Sequence, residues 1–140
     1  MVVDASAIAA WYLPTQATPA SETFLQRLHE HVCIAPVVFE IEVRSLMLYA
    51  ERKGHQSPSD SDAKLSRVFD LVAVQDEGFR DLAVRCLSLA RRTGLKLYDA
   101  AYLDLALTEG VALASRDRQL LRAAEAAGVE IFDLGPEAAA

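Results

Sequence analysis

Short apolar segments alternate along the chain with longer segments whose apolar residues recur at helical spacing. Val2 and Val3 predict a first strand, and residues 5–12 predict a helix that ends before Pro14. Further strands are expected at 32–35, 72–74, 111–115 and 130–132, and further helices at 19–31, 36–53, 79–93, 98–109 and 118–127. Residues 57–62 fit either a polar loop or a helix start. This alternation predicts an α/β fold with a parallel sheet between helix layers.

The chain of 140 residues has room for one domain and contains no linker, repeat or low-complexity segment. We predict a single domain over residues 1–133, followed by a short C-terminal tail over residues 134–140. The longest apolar run, residues 7–13, is too short to cross a bilayer. Because the first basic residue is Arg27, the charged start of a signal peptide is missing, and we expect a cytoplasmic protein without membrane contact.

The charge balance narrows the possible functions. Twenty acidic and fourteen basic residues give a net charge of −6, which argues against nonspecific coating of nucleic acid by Lys and Arg. A nuclease stays compatible with this charge, because a carboxylate site carrying a divalent metal can face phosphate locally. Cys33 and Cys86 lack the spacing of a zinc site, and Cys86 is expected to be a small core residue.

The segment 36–53 places its two neighbouring glutamates on different faces of the predicted helix. Glu40 lies four residues before Arg44 on a polar face, where the two form a favourable pair. Glu42 projects to the apolar side, where an ionised carboxylate is costly without a partner or a metal. A glutamate that extends from the edge of the apolar face toward water remains the alternative.

Three aspartates are also candidates. On the helix 98–109, Asp104 lies on a polar face, whereas Asp99 lies among apolar residues and could equally stabilise the helix dipole. Asp4 and Asp117 follow predicted strands, and both could instead cap the next helix. If Asp4, Glu42, Asp99 and Asp117 converge at one rim of the sheet, their oxygen atoms would suit Mg²⁺ or Mn²⁺.

Four segments in this order and spacing resemble the PIN-domain nucleases, and most closely the VapC-type toxins of bacterial toxin-antitoxin pairs. These segments are Val2-Val3-Asp4-Ala5-Ser6, the helix with Pro36 and Glu42-Val43, Tyr98-Asp99-Ala100-Ala101-Tyr102-Leu103, and Leu113-Ala114-Ser115-Arg116-Asp117. The resemblance implies a three-layer α/β/α PIN-like fold with a short parallel central sheet. It further implies a Mg²⁺- or Mn²⁺-dependent ribonuclease, with Asp4, Glu42, Asp99 and Asp117 as catalytic and metal-binding residues.

The resemblance also suggests supporting residues. Ser6 and Ser115 match hydroxyl positions that often support the first and last acids, and Ser45 stands where many relatives carry an asparagine. Five basic residues near the acids are candidates to hold the RNA backbone, although each could equally be a solubilising surface charge: Arg91, Arg92, Lys96, Arg116 and Arg118.

By the same resemblance, we expect a homodimer that a small VapB-like antitoxin neutralises. Val37, Met47 and Leu48 are candidate contact residues, because they lie at the margin of the Glu42 helix. The competing hypothesis is a catalytically inactive PIN-like module or a receiver-like binding module. A receiver would have adjacent acids after its first strand, where this chain has Asp4-Ala5-Ser6, and an inactive relative would be expected to have lost an acid.

Overall fold

Five parallel strands form the central sheet of the computed structural model, which describes residues 1–138. The strands are β1 (Val2–Val3), β2 (Cys33–Pro36), β3 (Val72–Gln75), β4 (Leu113–Ser115) and β5 (Ile131–Asp133), in the spatial order β3-β2-β1-β4-β5. Val2 pairs with Ile34 on one side and with Leu113 on the other. The first strand therefore lies at the centre of the sheet, with its carboxyl end beside that of β4.

Within the described residues, seven α-helices connect and cover the strands: α1 (Ala5–Tyr12), α2 (Pro19–Gln26), α3 (Phe39–Arg52), α4 (Pro58–Leu71), α5 (Phe79–Thr93), α6 (Leu97–Glu109) and α7 (Arg118–Ala126). Helix α1 packs against α2 and α3, and α3 also packs against α4. Helix α6 packs against both α5 and α7. The predicted α/β/α fold with a short parallel sheet is thus confirmed. The described residues contain no helix that is both long and apolar enough to cross a membrane.

Helix boundaries differ from the sequence prediction where capping and strand pairing intervene. Pro36 ends β2, where it pairs with Gln75, so α3 begins three residues later, at Phe39. The stretch 57–62 proves to be a helix start, because Ser57 and Asp60 cap α4 reciprocally. Gly94 ends α5 as expected, with a φ of +77° that favours glycine.

The core extends from the sheet into both helix layers and corrects two expectations about exposure. Met47, a candidate contact residue, is only 1% exposed, whereas Leu48 is accessible. Asp104 is not solvated, because Arg85 of α5 pairs with it at 3.1 Å and leaves its side chain 13% exposed. Cys86 is buried in the core, as predicted.

The predicted tail begins at a residue that packs inside the protein. Leu134 is 1% exposed, and its amide donates to the carbonyl of Ser115. Its own carbonyl accepts a hydrogen bond from Thr18. The last two residues of the predicted tail, 139 and 140, lie outside the described residues.

Candidate active site

Asp4 directly follows β1 and is almost completely enclosed, with 4% of its surface exposed. Its Oδ1 accepts hydrogen bonds from the Ala7 amide at 2.9 Å and from the Ser6 hydroxyl at 2.8 Å. Its Oδ2 accepts a 2.6 Å hydrogen bond from the Ser115 hydroxyl. Asp4 therefore caps α1, which was one of the two alternatives predicted from the sequence. Its carboxylate is also held by Ser115 of the neighbouring strand β4.

The two serines link the ends of β1 and β4. Ser115 closes β4, and its hydroxyl also accepts a hydrogen bond from the Asp117 amide at 2.9 Å. The Ser6 hydroxyl accepts one from the Arg116 amide at 3.0 Å. Each serine thus contacts Asp4 and the backbone of the turn after β4, so the position of Asp4 depends on both strands.

Glu42 lies in the first turn of α3 and is half-buried. Its Oε1 accepts a 2.6 Å hydrogen bond from the hydroxyl of Tyr102, which is 1% exposed in α6. Glu40, two residues earlier, forms the expected exposed pair with Arg44 at 2.5 Å. The structure therefore separates the two glutamates as the helical pattern predicted.

Asp99 and Asp117 occupy the starts of two further helices. Asp99 is half-buried in the first turn of α6. Asp117 is the N-cap of α7, where its Oδ1 accepts hydrogen bonds from the amides of Gln119 and Leu120. The capping alternative for Asp117 is correct, and it is compatible with a place in the site because its side chain also faces a cavity.

All four acids line one cavity of about 510 Å³ at the carboxyl ends of the central strands. Ser6, Ser45 and Tyr102 line it as well, together with Ile41, Leu46, Tyr49 and Tyr98. We call this the acidic cavity. Within residues 1–138, no three acidic, histidine or cysteine side chains stand in an arrangement that could hold one metal ion.

Burial dominates the electrostatics of the acidic cavity. It raises the pKa of Asp4 to about 6, against hydrogen bonds from Ser115, Ala7 and Ser6 that lower it. Burial also raises the pKa of Glu42, and the negative charge of Asp99 raises it further. The pKa of Asp99 is raised by burial and by the charge of Asp117. None of the four acids forms a salt bridge with another described residue, so the cavity favours a bound cation.

The candidate basic residues are not equivalent. Arg116 lines a second cavity that adjoins the acidic cavity, and Lys96 is close enough for its charge to lower the pKa of Asp99. Arg118 pairs with Glu137 at 2.6 Å on the surface. Arg91 and Arg92 are exposed in the last turn of α5 and line neither cavity.

The tyrosines of the acidic cavity are the main component of the site that the sequence analysis did not identify. Tyr102 lies three residues after Asp99, and Tyr49 lies seven residues after Glu42, so each shares a helix face with an acid. Tyr49 and Tyr98 are 59% and 58% exposed, respectively. Helical spacing from the two acids was the signal that could have located Tyr49 and Tyr102.

Comparison with known proteins finds matches over most of the chain. The sequence profile of the PIN domain matches residues 1–126. Ribonuclease VapC3 of Pyrobaculum aerophilum is 30% identical over 86% of this chain and 91% of its own length. Ribonuclease VapC3 of Mycobacterium tuberculosis strain H37Rv is 33% identical over 88% of this chain and 86% of its own length.

Solved structures share the fold. The crystal structure of PAE2754 from Pyrobaculum aerophilum has a TM-score of 0.71 at 24% identity, covering 94% of this chain and 89% of that chain. The crystal structure of FitAcB from Neisseria gonorrhoeae has a TM-score of 0.59 at 17% identity, covering 94% of this chain and 96% of that chain. Both solved structures therefore share the overall fold of this chain.

Proposed function

The chain belongs to the PIN domain family, and we propose that it is a metal-dependent endoribonuclease acting as the toxin of a toxin-antitoxin pair. Both curated relatives are ribonucleases by name, and each aligns with more than four fifths of this chain. The observation that carries the proposal is the acidic cavity, because four separate elements each contribute one carboxylate to it. An inactive binding module would have no need for four acids in one cavity.

The donor set of the acidic cavity fits Mg²⁺ or Mn²⁺, since it consists of hard oxygen atoms without cysteine or histidine. Asp4, Glu42 and Asp99 would hold the metal, and Asp117 is the fourth candidate. A bound divalent metal lowers the pKa of a coordinated water and offsets charge that develops on phosphate oxygens. The raised pKa values of Asp4, Glu42 and Asp99 are a reason why a cation would stabilise this arrangement.

The residues around the acids position them for hydrolysis of an RNA phosphodiester bond. Ser6 and Ser115 hold the Asp4 carboxylate in one orientation, and Tyr102 does the same for Glu42. Fixing the carboxylates before substrate arrives reduces the reorganisation needed during the reaction. Arg116 lines the adjoining cavity and Lys96 lies near Asp99, so both can offer positive charge to the RNA backbone.

The proposed partners follow from the family. We expect a homodimer and a small VapB-like antitoxin, both acting in the cytoplasm, where RNA is available. Leu48 is accessible for such contacts and Val37 is half-buried. Native mass spectrometry of the protein with and without its operon neighbour tests both expectations. A monomer at micromolar concentration, with no co-purifying small protein, would count against them.

The deciding experiment compares two glutamates of α3. Purified wild type, Asp4→Asn, Glu42→Gln and Glu40→Gln are incubated with total cellular RNA in Mg²⁺, in Mn²⁺ and in EDTA. We expect cleavage in either metal by wild type and Glu40→Gln only, with unchanged circular dichroism for all four proteins. Metal-dependent cleavage by pure Asp4→Asn or Glu42→Gln at the wild-type rate would refute the assignment of that residue.

A further inference from the structure

A second cavity of about 360 Å³ adjoins the acidic cavity. The two cavities share Ser6, Leu46, Tyr49 and Asp117, so they form one continuous surface depression. Gln16 and Arg116 line only the second cavity, which we call the Arg116 cavity. Its volume lies within the range of small-ligand sites, roughly 300–1,000 Å³.

Tyr49 stands at the junction of the two cavities, and its ring is largely open to solvent. It is 59% exposed, whereas Met47 and Ala50 on the same helix are buried. The ammonium group of Lys53, the residue that caps the C-terminal end of α3, lies over the ring at 5.5 Å from its centroid. An exposed aromatic ring beside a cation offers a flat apolar surface close to positive charge. A nucleotide can stack its base on such a ring and direct its phosphate toward such a charge.

Arg116 supplies the charge of its cavity. Its backbone amide is fixed by Ser6, and its guanidinium donates a hydrogen bond to the side chain of Gln16. No carboxylate among the described residues forms a salt bridge with it, unlike Arg118 two residues later, which pairs with Glu137. The positive charge of Arg116 is therefore held in place and available to an anion.

We infer that Tyr49 and Arg116 form a subsite for one unpaired nucleotide next to the cleaved bond, with the base stacked on Tyr49 and its phosphate at Arg116. This inference rests on the proposed function and specifies its substrate. A base that stacks on a side chain has left its own helix, so the RNA is single-stranded at this position.

The composition of the Arg116 cavity favours a nucleotide over a protein segment. Four of its seven lining residues, Ser6, Gln16, Arg116 and Asp117, are polar or charged, whereas a docking groove for an amphipathic helix needs a continuous apolar surface. A cationic side chain and an aromatic ring in the same cavity correspond to the phosphate and the base of one nucleotide.

The test uses the RNA that the wild-type protein cuts. Sequencing of new 5′ ends after digestion of total RNA locates the cleavage site, and a short oligonucleotide spanning it serves as the substrate. The nucleotide on each side of the cut is then replaced by an abasic ribose in turn. Rates are measured for wild type, Tyr49→Leu, Tyr49→Phe and Phe79→Leu. Phe79 is the matched control, because it is 60% exposed on α5 and lines neither cavity.

We expect Tyr49→Leu to raise KM about 5- to 150-fold with little change in kcat, the usual range for loss of one stacked base. Tyr49→Phe and Phe79→Leu should stay within about twofold of wild type. For wild type, removing one of the two flanking bases should raise KM by a similar factor. For Tyr49→Leu, removing the same base should not raise KM any further. Annealing a complementary strand over that nucleotide should abolish cleavage by wild type.

Each other result overturns the inference in a distinguishable way. If wild type cuts RNA but Tyr49→Leu is equally active, the subsite is wrong while the ribonuclease proposal stands. The same holds if Tyr49→Leu cuts normally and only loses a co-purifying protein, since the surface would then belong to protein binding. If wild type cuts no RNA, both the proposed function and this inference fall.

Discussion

The hydroxyl of Tyr102 donates a 2.6 Å hydrogen bond to Glu42 and so connects α6 to α3 across the acidic cavity. The two residues are 60 positions apart in the sequence, and Tyr102 is almost fully buried. The bond lowers the pKa of Glu42, opposing the effect of its burial. Tyr102 therefore favours the ionised form of Glu42, which is the form a metal requires.

Tyr102→Phe should reduce stability by roughly 1 kcal/mol, because the ionised Glu42 loses its hydrogen-bond donor. The pKa of Glu42 should rise further, so the pH at which Mg²⁺-dependent cleavage becomes half-maximal should rise as well. Urea unfolding and a pH–rate profile measure the two effects. Tyr12→Phe, which removes a hydroxyl outside the cavity, is the control, and a Tyr102→Phe profile that overlays wild type would contradict the role.

Asp4 should make the stability of the metal-free protein decrease as pH rises from about 4 to about 6. Its pKa is about 6 in the folded protein, above the value of 3.8 that is usual for an aspartate in water, so between these two pH values the folded state binds one more proton than the unfolded state. Folding is therefore favoured at the acid end and penalised above pH 6, by roughly 3 kcal/mol in full. Asp4→Asn has no proton to lose at this position and should lack this slope.

The measurement is urea unfolding in EDTA at several pH values, followed by the fluorescence of Trp11. Trp11 is the single tryptophan and is 8% exposed, so its emission reports unfolding. The difference between wild type and Asp4→Asn isolates Asp4 from the other carboxylates. An equal pH dependence for the two proteins would mean that Asp4 titrates normally.

Asp99→Asn should leave the metal-free protein at least as stable as wild type, because it removes one of several mutually repelling carboxylates. Like charges about 4 Å apart repel by ~1 kcal/mol in water and by up to ~4 at the effective dielectric of a partly buried site. The same substitution should abolish most of the rise in melting temperature that Mg²⁺ produces. Melting curves in EDTA and in Mg²⁺ give both quantities.

Glu40→Gln is the control for Asp99→Asn, because Glu40 is an exposed acid that lies outside the acidic cavity. This substitution should leave the Mg²⁺-induced rise in melting temperature intact. Asp104 is unsuitable, because its substitution also breaks the pair with Arg85. If Asp99 serves only to stabilise the start of α6, Asp99→Asn should cost a few tenths to ~1 kcal/mol in both conditions. It would then show a normal Mg²⁺ shift.

Arg116→Gln should reduce the salt dependence of RNA binding. Each phosphate contact on a single strand contributes about 0.7 to the slope of log affinity against log salt concentration, so the slope should decrease by about that amount. Binding is measured by fluorescence anisotropy with the same oligonucleotide, in an Asp4→Asn background that prevents cleavage. Arg118→Gln is the control, and an equal decrease there would assign the effect to general surface charge.

Much of the site follows from helical spacing alone. When each helix is projected separately, Glu42 and Asp99 fall on the helix faces that are directed toward the protein interior. In the structure, both line one cavity together with Asp4. Strand ends predict the positions of Asp4 and Asp117, because parallel strands bring their carboxyl ends to one edge. The positions of the four acids in the fold could be predicted because each depends only on local periodicity and on the class of sheet.

Features that depend on neighbouring helices could not be predicted in this way. Met47 looked peripheral on α3, but α4 packs against that helix and Met47 is enclosed. Asp104 looked solvated on α6 until α5 brought Arg85 against it. The exposure of Tyr49 at a junction of two cavities likewise depends on how α3, α1 and the turn after β4 meet.

The strand order of the sheet has a consequence for when the protein becomes active during its synthesis. Asp4 leaves the ribosome 111 residues before its Ser115 partner, and β1 lacks one neighbour until β4 has emerged. A nascent chain therefore carries an incomplete acidic cavity until the segment that ends at residue 117 has emerged and folded. A product truncated before residue 113 would lack both Ser115 and Asp117, and we expect it to have no ribonuclease activity.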